Sequence, residues 1–211
     1  MLSNYLTVKA EGEHEIVIDR SRFITTVARV QTEEEAIAVI QRVKKQHSSA
    51  NHNCSAYLIG ETDHIQKAND DGEPSGTAGV PMLEVLKKRQ LKDTVAVVTR
   101  YFGGIKLGAG GLIRAYGKSV SETLNAVGVV ERKLMYNVSA VIDYTLLGKV
   151  ENELRSSIYE IKEIHYLENV EIITYVADGE LEPFKEFITN LTNGQAQLTV
   201  GDTEYLEELY S

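Results

Sequence analysis

One stretch of the sequence restricts the fold more than any other: TVAVVTRYFGGIKLGAGGLIRAYG at residues 94–117. It begins as an apolar, β-branched run typical of a buried strand. It continues through glycines at 103, 104, 108, 110 and 111 and ends in a helical repeat. Such an order forms a common anion cradle, because backbone N–H groups and the helix dipole converge at the loop. We therefore predict a strand–loop–helix unit with a candidate binding site at its glycines.

Positive charge accompanies this stretch. Residues 85–118 contain eight Lys and Arg against one acid, Asp93. The net charge of the whole chain is −9, but residues 1–134 carry +2 and residues 135–211 carry −11. A break of this size predicts two domains, 1–134 and 135–211, and it directs any polyanionic partner to the first one.

The hydrophobic pattern predicts an α+β class for both domains. In the first domain it favours strands within 15–30 and at 54–60, helices at 32–47, 80–90 and 109–127, a long loop over 61–79 and a strand at 94–102. From residue 135 the elements follow the order βαββαβ of the ferredoxin-like fold, with the last strand at 195–202. No window approaches the length of a membrane span. The chain start resembles no export signal, and the single cysteine fits a reducing compartment, so we expect a cytoplasmic protein with no membrane partner.

The glycine loop matches neither common nucleotide motif. Five residues separate Gly111 from Gly117, where a Walker A motif needs four, and Ile113 stands where a dinucleotide fingerprint needs its last glycine. A less specific phosphate cradle and a tight turn that needs glycine only for its backbone are the two interpretations left. The predicted anion- or RNA-binding residues are Arg100, Tyr101, Gly103, Gly104, Lys106, Gly108, Gly110, Gly111 and Arg114.

A second loop, ANDDGEPSGTAG at residues 68–79, is acidic. Asp70, Asp71 and Glu73 suit a hard divalent cation, although the same composition is typical of a plain turn, and we assign no metal and no cofactor. Ser75 and Thr77 are candidate donors to an anion or caps for the following helix. A nucleophile pair at His52 and Cys54 competes with the simpler interpretation of a small buried cysteine.

The two glycine-bearing segments, DDGEPSGTAGVPMLEVL at 70–86 and VVTRYFGGIKLGAGGLIRAYG at 97–117, resemble the signature segments of the IMPACT family. SRFI at 21–24 and HNCSAY at 52–57 fit the same family. The resemblance covers the whole chain. It implies a family domain over about residues 17–125, followed by the small C-terminal domain of the bacterial, YigZ-type members.

The resemblance carries further expectations. It implies that the N-terminal domain is similar to domain IV of elongation factor G and that the C-terminal domain is ferredoxin-like. Eukaryotic relatives are linked to the control of translation initiation, but they carry an additional N-terminal domain that binds their partner in that pathway. We therefore do not transfer that partner to this chain.

Two functions compete on these grounds, and a third option is a protein-interaction module whose glycines serve only packing. The first is a non-enzymatic regulator of translation that binds RNA or the ribosome through the basic glycine-loop face. The alternative is an enzyme or small-molecule binder, with a pocket for a phosphorylated ligand or nucleotide between the loops at 70–79 and 103–111. The alternative requires that the two loops face each other across one cleft.

Overall fold

The computed structural model describes residues 1–210, which form two compact units. The N-terminal unit consists of residues 5–131 and a short segment that begins at Glu208. Residues 1–4 and 132–207 make the C-terminal unit. Among the described residues, no helix is both long and apolar enough to cross a membrane.

The N-terminal unit combines one sheet with three helices. Its elements are, in chain order, β1 (Asn4–Val8), β2 (Gly12–Ile18), β3 (Ser21–Arg29), α1 (Glu33–Gln46), β4 (His52–Ile59), β5 (Ile65–Asn69), α2 (Gly79–Lys88), β6 (Thr94–Tyr101) and α3 (Gly108–Val127). The five-stranded sheet has the order β2-β3-β6-β4-β5, and its neighbouring strands are antiparallel. The apolar run that opens the signature stretch is therefore the central strand.

Helices cover both faces of this sheet, which is why β6 is buried from residue 94 to residue 100. Consecutive side chains of a strand point to opposite faces. Val95 and Val97 pack with α1, whereas Ala96 and Val98 pack with α2 and α3. The glycine loop leaves the end of β6 and enters α3, so the candidate site belongs to the face that α2 and α3 cover.

The C-terminal unit has the predicted ferredoxin-like order. Its elements are β7 (Val129–Ile142), α4 (Tyr144–Arg155), β8 (Glu160–Tyr166), β9 (Val170–Ala177), α5 (Leu181–Thr192) and β10 (Gln197–Tyr210). The sheet has the strand order β10-β7-β9-β8. One apolar cluster, which includes Val138, Ile172 and Phe184, forms the core of the unit. The α+β class is thereby confirmed for both units.

The structure contains strands that the sequence prediction lacked or cut short: β1, which was not predicted, and two polar strands. The segment 61–79, predicted as one loop, contains β5, whose residues 66–69 are all exposed. β5 lies at the sheet edge, so it has no buried face that would produce an apolar alternation. For the same reason the prediction ended the last strand at residue 202, whereas the largely exposed β10 continues to Tyr210.

Candidate functional site

Arg100, at the end of β6, lies in the interior of the N-terminal unit. Its Nη1 donates to Glu73 Oε1 at 2.7 Å, and the side chains of Arg100 and Glu73 are only 6% and 4% exposed. The Tyr116 hydroxyl donates to the same Glu73 oxygen, also at 2.7 Å. The Arg100 guanidinium lies 5.4 Å from the Phe23 ring centre and 5.5 Å from that of Phe102. The structure therefore places Arg100 in a buried ion pair, instead of on the exposed phosphate-binding face that the sequence suggested.

Asp70 organises the acidic loop around the start of α2. Its carboxylate accepts hydrogen bonds from the backbone N–H groups of Gly76, Ala78 and Gly79 at 2.8–3.0 Å. Burial by itself raises the pKa of this carboxyl, but the three N–H groups outweigh burial and hold the pKa below its usual value. Asp70 thus supplies the anion that satisfies this helix start.

Asp71 is also engaged with protein donors. It accepts from Lys44 Nζ at 2.6 Å and from the backbone N–H of Asn53 at 2.7 Å. Burial raises the pKa of Asp71, but these donors lower it further than burial raises it. Within residues 1–210 no group of three or more His, Cys, Asp and Glu side chains could hold a metal ion. Protein donors thus already engage the three carboxylates that the sequence offered to a cation, those of Asp70, Asp71 and Glu73.

The two other predicted residues of this loop have different positions. Thr77 is buried, and its hydroxyl donates to the Pro74 carbonyl oxygen at 2.6 Å, so it closes the turn before α2. Ser75 is exposed. Neither side chain caps α2, because the backbone N–H groups at its start donate to the Asp70 carboxylate instead.

The glycines of the signature loop have separate structural reasons. A Cβ on Gly103 would overlap the backbone of Arg20 in the turn between β2 and β3, so close chain approach requires glycine there. Gly104 and Gly108 have φ values of +86° and +69°, which side chains rarely adopt. A Cβ on Gly111 would press on the Leu107 side chain at 2.9 Å.

Gly110 is different from the other four glycines. A Cβ there would meet only the tip of Arg114, at an ordinary 3.6 Å, and the φ of Gly110 lies outside the positive region. Neither packing nor backbone conformation explains this glycine. It lies in the first turn of α3, where a missing side chain leaves the helix N-terminus open to approach.

The start of α3 carries positive charge that no acidic side chain in its first turn neutralises. Leu107 occupies the N-cap and makes no side-chain cap hydrogen bond, and the first turn contains no acid. Lys106 and Arg114 are exposed, and within the described chain neither makes an ion pair or a side-chain hydrogen bond. The helix dipole and these two charges therefore favour an anion at this position.

The rest of the predicted basic stretch is partly neutralised. Lys87 pairs with Glu84, Lys92 with Asp63 and Lys118 with Glu122. Tyr101 also lies apart from the loop, because its hydroxyl contacts His47, the residue that follows α1, at 3.0 Å on the other face of the sheet. Of the cations predicted for the site, Lys106 and Arg114 therefore remain exposed and unpaired beside the loop between β6 and α3.

The acidic loop and the glycine loop do face each other. They share a cavity of about 380 Å³, lined by Glu73, Pro74, Arg100, Phe102, Lys106, Leu107, Gly108, Ala109 and Leu112. Phe102 is 45% exposed at its rim, although a phenylalanine would normally be buried. The apolar wall of Pro74, Phe102, Leu107 and Leu112 was not predicted from the sequence, although all four residues lie inside the two signature segments. One cavity with a buried charge pair, apolar walls and a helix N-terminus is suited to a ligand with an anionic and an apolar part.

Cys54 is no candidate nucleophile in this arrangement. The thiol is buried, where Sγ lies 3.0 Å from the Asp70 carbonyl oxygen and 3.3 Å from the Tyr116 hydroxyl. Burial raises the pKa of Cys54 to about 12, so the reactive thiolate does not form near neutral pH. The ring of His52 is held elsewhere, with Nδ1 2.9 Å from the Asp71 carbonyl oxygen.

The fold and the site define a two-domain α+β protein with a ligand-sized cavity in its N-terminal unit and a ferredoxin-like C-terminal unit. The model of the Impact N-terminal domain matches residues 19–124, and that of a domain of unknown function, DUF1949, matches residues 141–195. The chain belongs to the IMPACT family, as a two-domain member of the bacterial type.

Known proteins agree with this assignment along the whole chain. The IMPACT family member YvyE of Bacillus subtilis is 69% identical over 208 residues, which cover 99% of this chain and 96% of that protein. The IMPACT family member YigZ of Escherichia coli is 37% identical over 152 residues, covering 68% of this chain and 74% of that protein. A crystal structure described as that of a hypothetical protein has 30% sequence identity and a TM-score of 0.61, and it covers 96% of this chain and 99% of its own.

Proposed function

We propose that this protein is a cytoplasmic, non-enzymatic regulator of translation that binds RNA, free or at the ribosome surface. The observation that carries the proposal is the pair of exposed, unpaired cations, Lys106 and Arg114, beside the uncapped first turn of α3. Phosphate groups are the natural partners of such a surface, because side-chain cations and helix N–H groups bind them together. The link to translation rests on the resemblance to the family.

Arg100 has an indirect role in this proposal. Its ion pair with Glu73 joins the end of β6 to the acidic loop, and its Nη2 reaches Ser21 Oγ at 3.4 Å. Ser21 Oγ in turn accepts from the backbone N–H of Gly103 at 3.2 Å. Arg100 therefore helps to hold the first residues of the glycine loop, and Lys106 and Arg114 make the phosphate contacts.

The acidic C-terminal unit fits this division of roles. Its excess of carboxylates repels a phosphate backbone, so RNA is directed to the N-terminal unit. The exposed apolar side chains Phe102, Ile105 and Ile113 lie on the glycine loop or on α3. Such side chains support contact with unpaired bases or with ribosomal protein beside the phosphates.

Salt-dependent binding of a labelled single-stranded RNA tests the proposal. We expect affinity to fall steeply between about 50 and 200 mM salt, with each lost phosphate contact lowering the slope of log K against log[salt] by roughly 0.7. Lys106→Ala and Arg114→Ala should each reduce the slope by about that amount. Lys45→Ala is the matched control, because Lys45 is an exposed and unpaired lysine of α1, on the opposite face of the sheet. An unchanged slope in both loop variants, or no RNA binding at all, refutes the proposal.

The cavity itself favours a second candidate function. An enzyme or small-molecule binder would place a phosphorylated ligand between the two loops, where Lys106 and the start of α3 supply positive charge. The carboxylates of Asp70 and Asp71 already have protein partners, so this candidate works without a metal at the acidic loop. Thermal unfolding with a panel of phosphorylated metabolites tests it, because only a compound that binds the folded state raises the unfolding temperature.

A further inference from the structure

We propose that the cavity between the acidic loop and the glycine loop is a pocket for a single unpaired nucleotide. The base would enter the apolar part, and its phosphate would lie at the first turn of α3. The inference rests on the proposed function where the nucleotide belongs to an RNA strand. A free nucleoside monophosphate presents the same chemistry, and the experiments below separate the two sources.

The size and walls of the cavity suit a base. Its volume of about 380 Å³ lies within the range of small-molecule sites. Pro74, Leu107 and Leu112 provide apolar walls, and the partly exposed Phe102 ring stands at the edge. Aromatic and aliphatic surfaces of this kind stabilise any base through its flat face. Paired bases do not present that face, so the pocket selects single-stranded nucleic acid over a duplex.

Charge determines the orientation of the nucleotide. Among the lining residues, Arg100 and Glu73 neutralise each other, so a neutral base is better tolerated beside them than a phosphate that would meet the Glu73 carboxylate. Lys106, by contrast, has no ion pair, and Gly108 and Ala109 open α3 with backbone N–H groups. The phosphate is therefore expected beside Lys106.

Arg100 has donors that the protein does not use. Its side chain is more than nine-tenths buried and forms part of the cavity wall, yet its Nε–H has no acceptor among the described residues. Its Nη2 has only the long bond to Ser21. Leaving a buried donor without an acceptor is unfavourable. A carbonyl oxygen or ring nitrogen on the edge of a base supplies the acceptor that the Arg100 guanidinium lacks.

Gly110 supports the same placement independently. No packing contact and no unusual φ requires a glycine at this position. A glycine in the first helical turn is less favourable for helix stability than alanine. Leaving room for a phosphate at the helix start is a physical reason for its presence.

The first experiment measures thermal unfolding with AMP, GMP, CMP or UMP, and with adenosine or inorganic phosphate as partial ligands. We expect at least one monophosphate to raise the unfolding temperature more than either partial ligand at equal concentration, because only the monophosphate carries both a base and a phosphate. If no monophosphate exceeds both partial ligands, and a single-stranded oligonucleotide binds no better than its duplex, the inference is wrong.

A pair of variants links binding to the cavity. Ala109→Leu fills the cavity from the first turn of α3, and Ala126→Leu makes the same change at an exposed position near the other end of the same helix. Ala109→Leu should weaken the binding of single-stranded RNA or of the monophosphate roughly tenfold, a loss typical of one stacked base. Ala126→Leu should leave both affinities unchanged. Equal affinities in the two variants overturn the inference.

Competition identifies the source of the nucleotide. If an unlabelled oligonucleotide displaces the monophosphate, the pocket serves an RNA strand. If the monophosphate binds and the oligonucleotide does not bind at all, the pocket serves a free nucleotide, and the RNA proposal fails while the pocket stands. A third outcome is that RNA binds with the expected salt slope, while duplex and single strand bind equally and Ala109→Leu has no effect. That result removes the pocket and leaves the RNA proposal intact.

Discussion

Replacing Glu73 by alanine tests the buried centre of the site most directly. The change removes the carboxylate that neutralises Arg100 and that accepts the Tyr116 hydroxyl. Because both side chains of the ion pair are almost fully buried, solvent does not screen the charge that is left on Arg100. Breaking one partner of such a pair costs about 3–5 kcal/mol of unfolding free energy.

Urea unfolding provides the measurement. The chain contains no tryptophan and 11 tyrosines, so circular dichroism and tyrosine fluorescence are the suitable probes. With a urea dependence of about 1–3 kcal/mol per molar, Glu73→Ala should lower the midpoint of the N-terminal unit by about 2 M. The transition of the C-terminal unit is the internal reference, because Glu73 belongs to the N-terminal unit.

Two controls make the test specific. Glu84→Ala removes an exposed partner of Lys87 and should cost less than about 1 kcal/mol, the usual value for a surface pair. The double variant Glu73→Leu with Arg100→Met replaces the pair by apolar side chains and should recover most of the loss. If Glu73→Ala costs no more than Glu84→Ala, the description of a buried, tightly coupled pair is wrong.

Three further predictions address the loops and the second unit. Gly103→Ala should destabilise the N-terminal unit strongly through its clash with the neighbouring turn, whereas Gly110→Ala should stabilise it by about 0.5 kcal/mol, both measured by urea unfolding. The folded-state pKa of Asp70 is depressed below 3.8. The stability that the Asp70 carboxylate contributes to the folded protein is therefore present above that pH and is lost as pH falls through the folded-state pKa. Asp70→Asn should show a smaller loss of stability on acidification. Hydrogen bonds to Glu163 and Glu171 raise the folded-state pKa of His165 above 6.5, so its stabilisation is complete below that pH and is lost as pH rises through the folded pKa. An NMR titration of the ring protons should give a midpoint above 6.5, and His165→Gln should flatten the pH dependence of the C-terminal unit.

The local hydrophobic pattern of the sequence was enough to predict most of the architecture. The apolar run before residue 100 and the helical repeat after residue 108 predicted β6 and α3, because a fully buried strand and an amphipathic helix leave clear periodicities. The ferredoxin-like order was predicted for the same reason. β5 was missed, because an exposed edge strand leaves no such periodicity.

The candidate site was harder to predict than the fold. The sequence indicated the two loops and their residue types, and two of the charges that it singled out, Lys106 and Arg114, are exposed. It could not show that Tyr101 points to the other face of the sheet or that Asp70 and Asp71 are occupied by the backbone and by Lys44. These contacts depend on partners that are distant in sequence, and local composition carries no information about them.

The sequence by itself determined the family, the α+β class and the strand–loop–helix unit around the glycines, because these follow from motifs and short-range periodicity. Only the tertiary structure decided which charges are available. Arg100 and Glu73 are 27 residues apart, yet the antiparallel sheet and the loop before α2 bring them together in a buried ion pair, where each neutralises the other. Arg100 looks like an available cation in the sequence, but its contact with Glu73 neutralises it. The available positive charge of the loop therefore comes from Lys106, Arg114 and the start of α3.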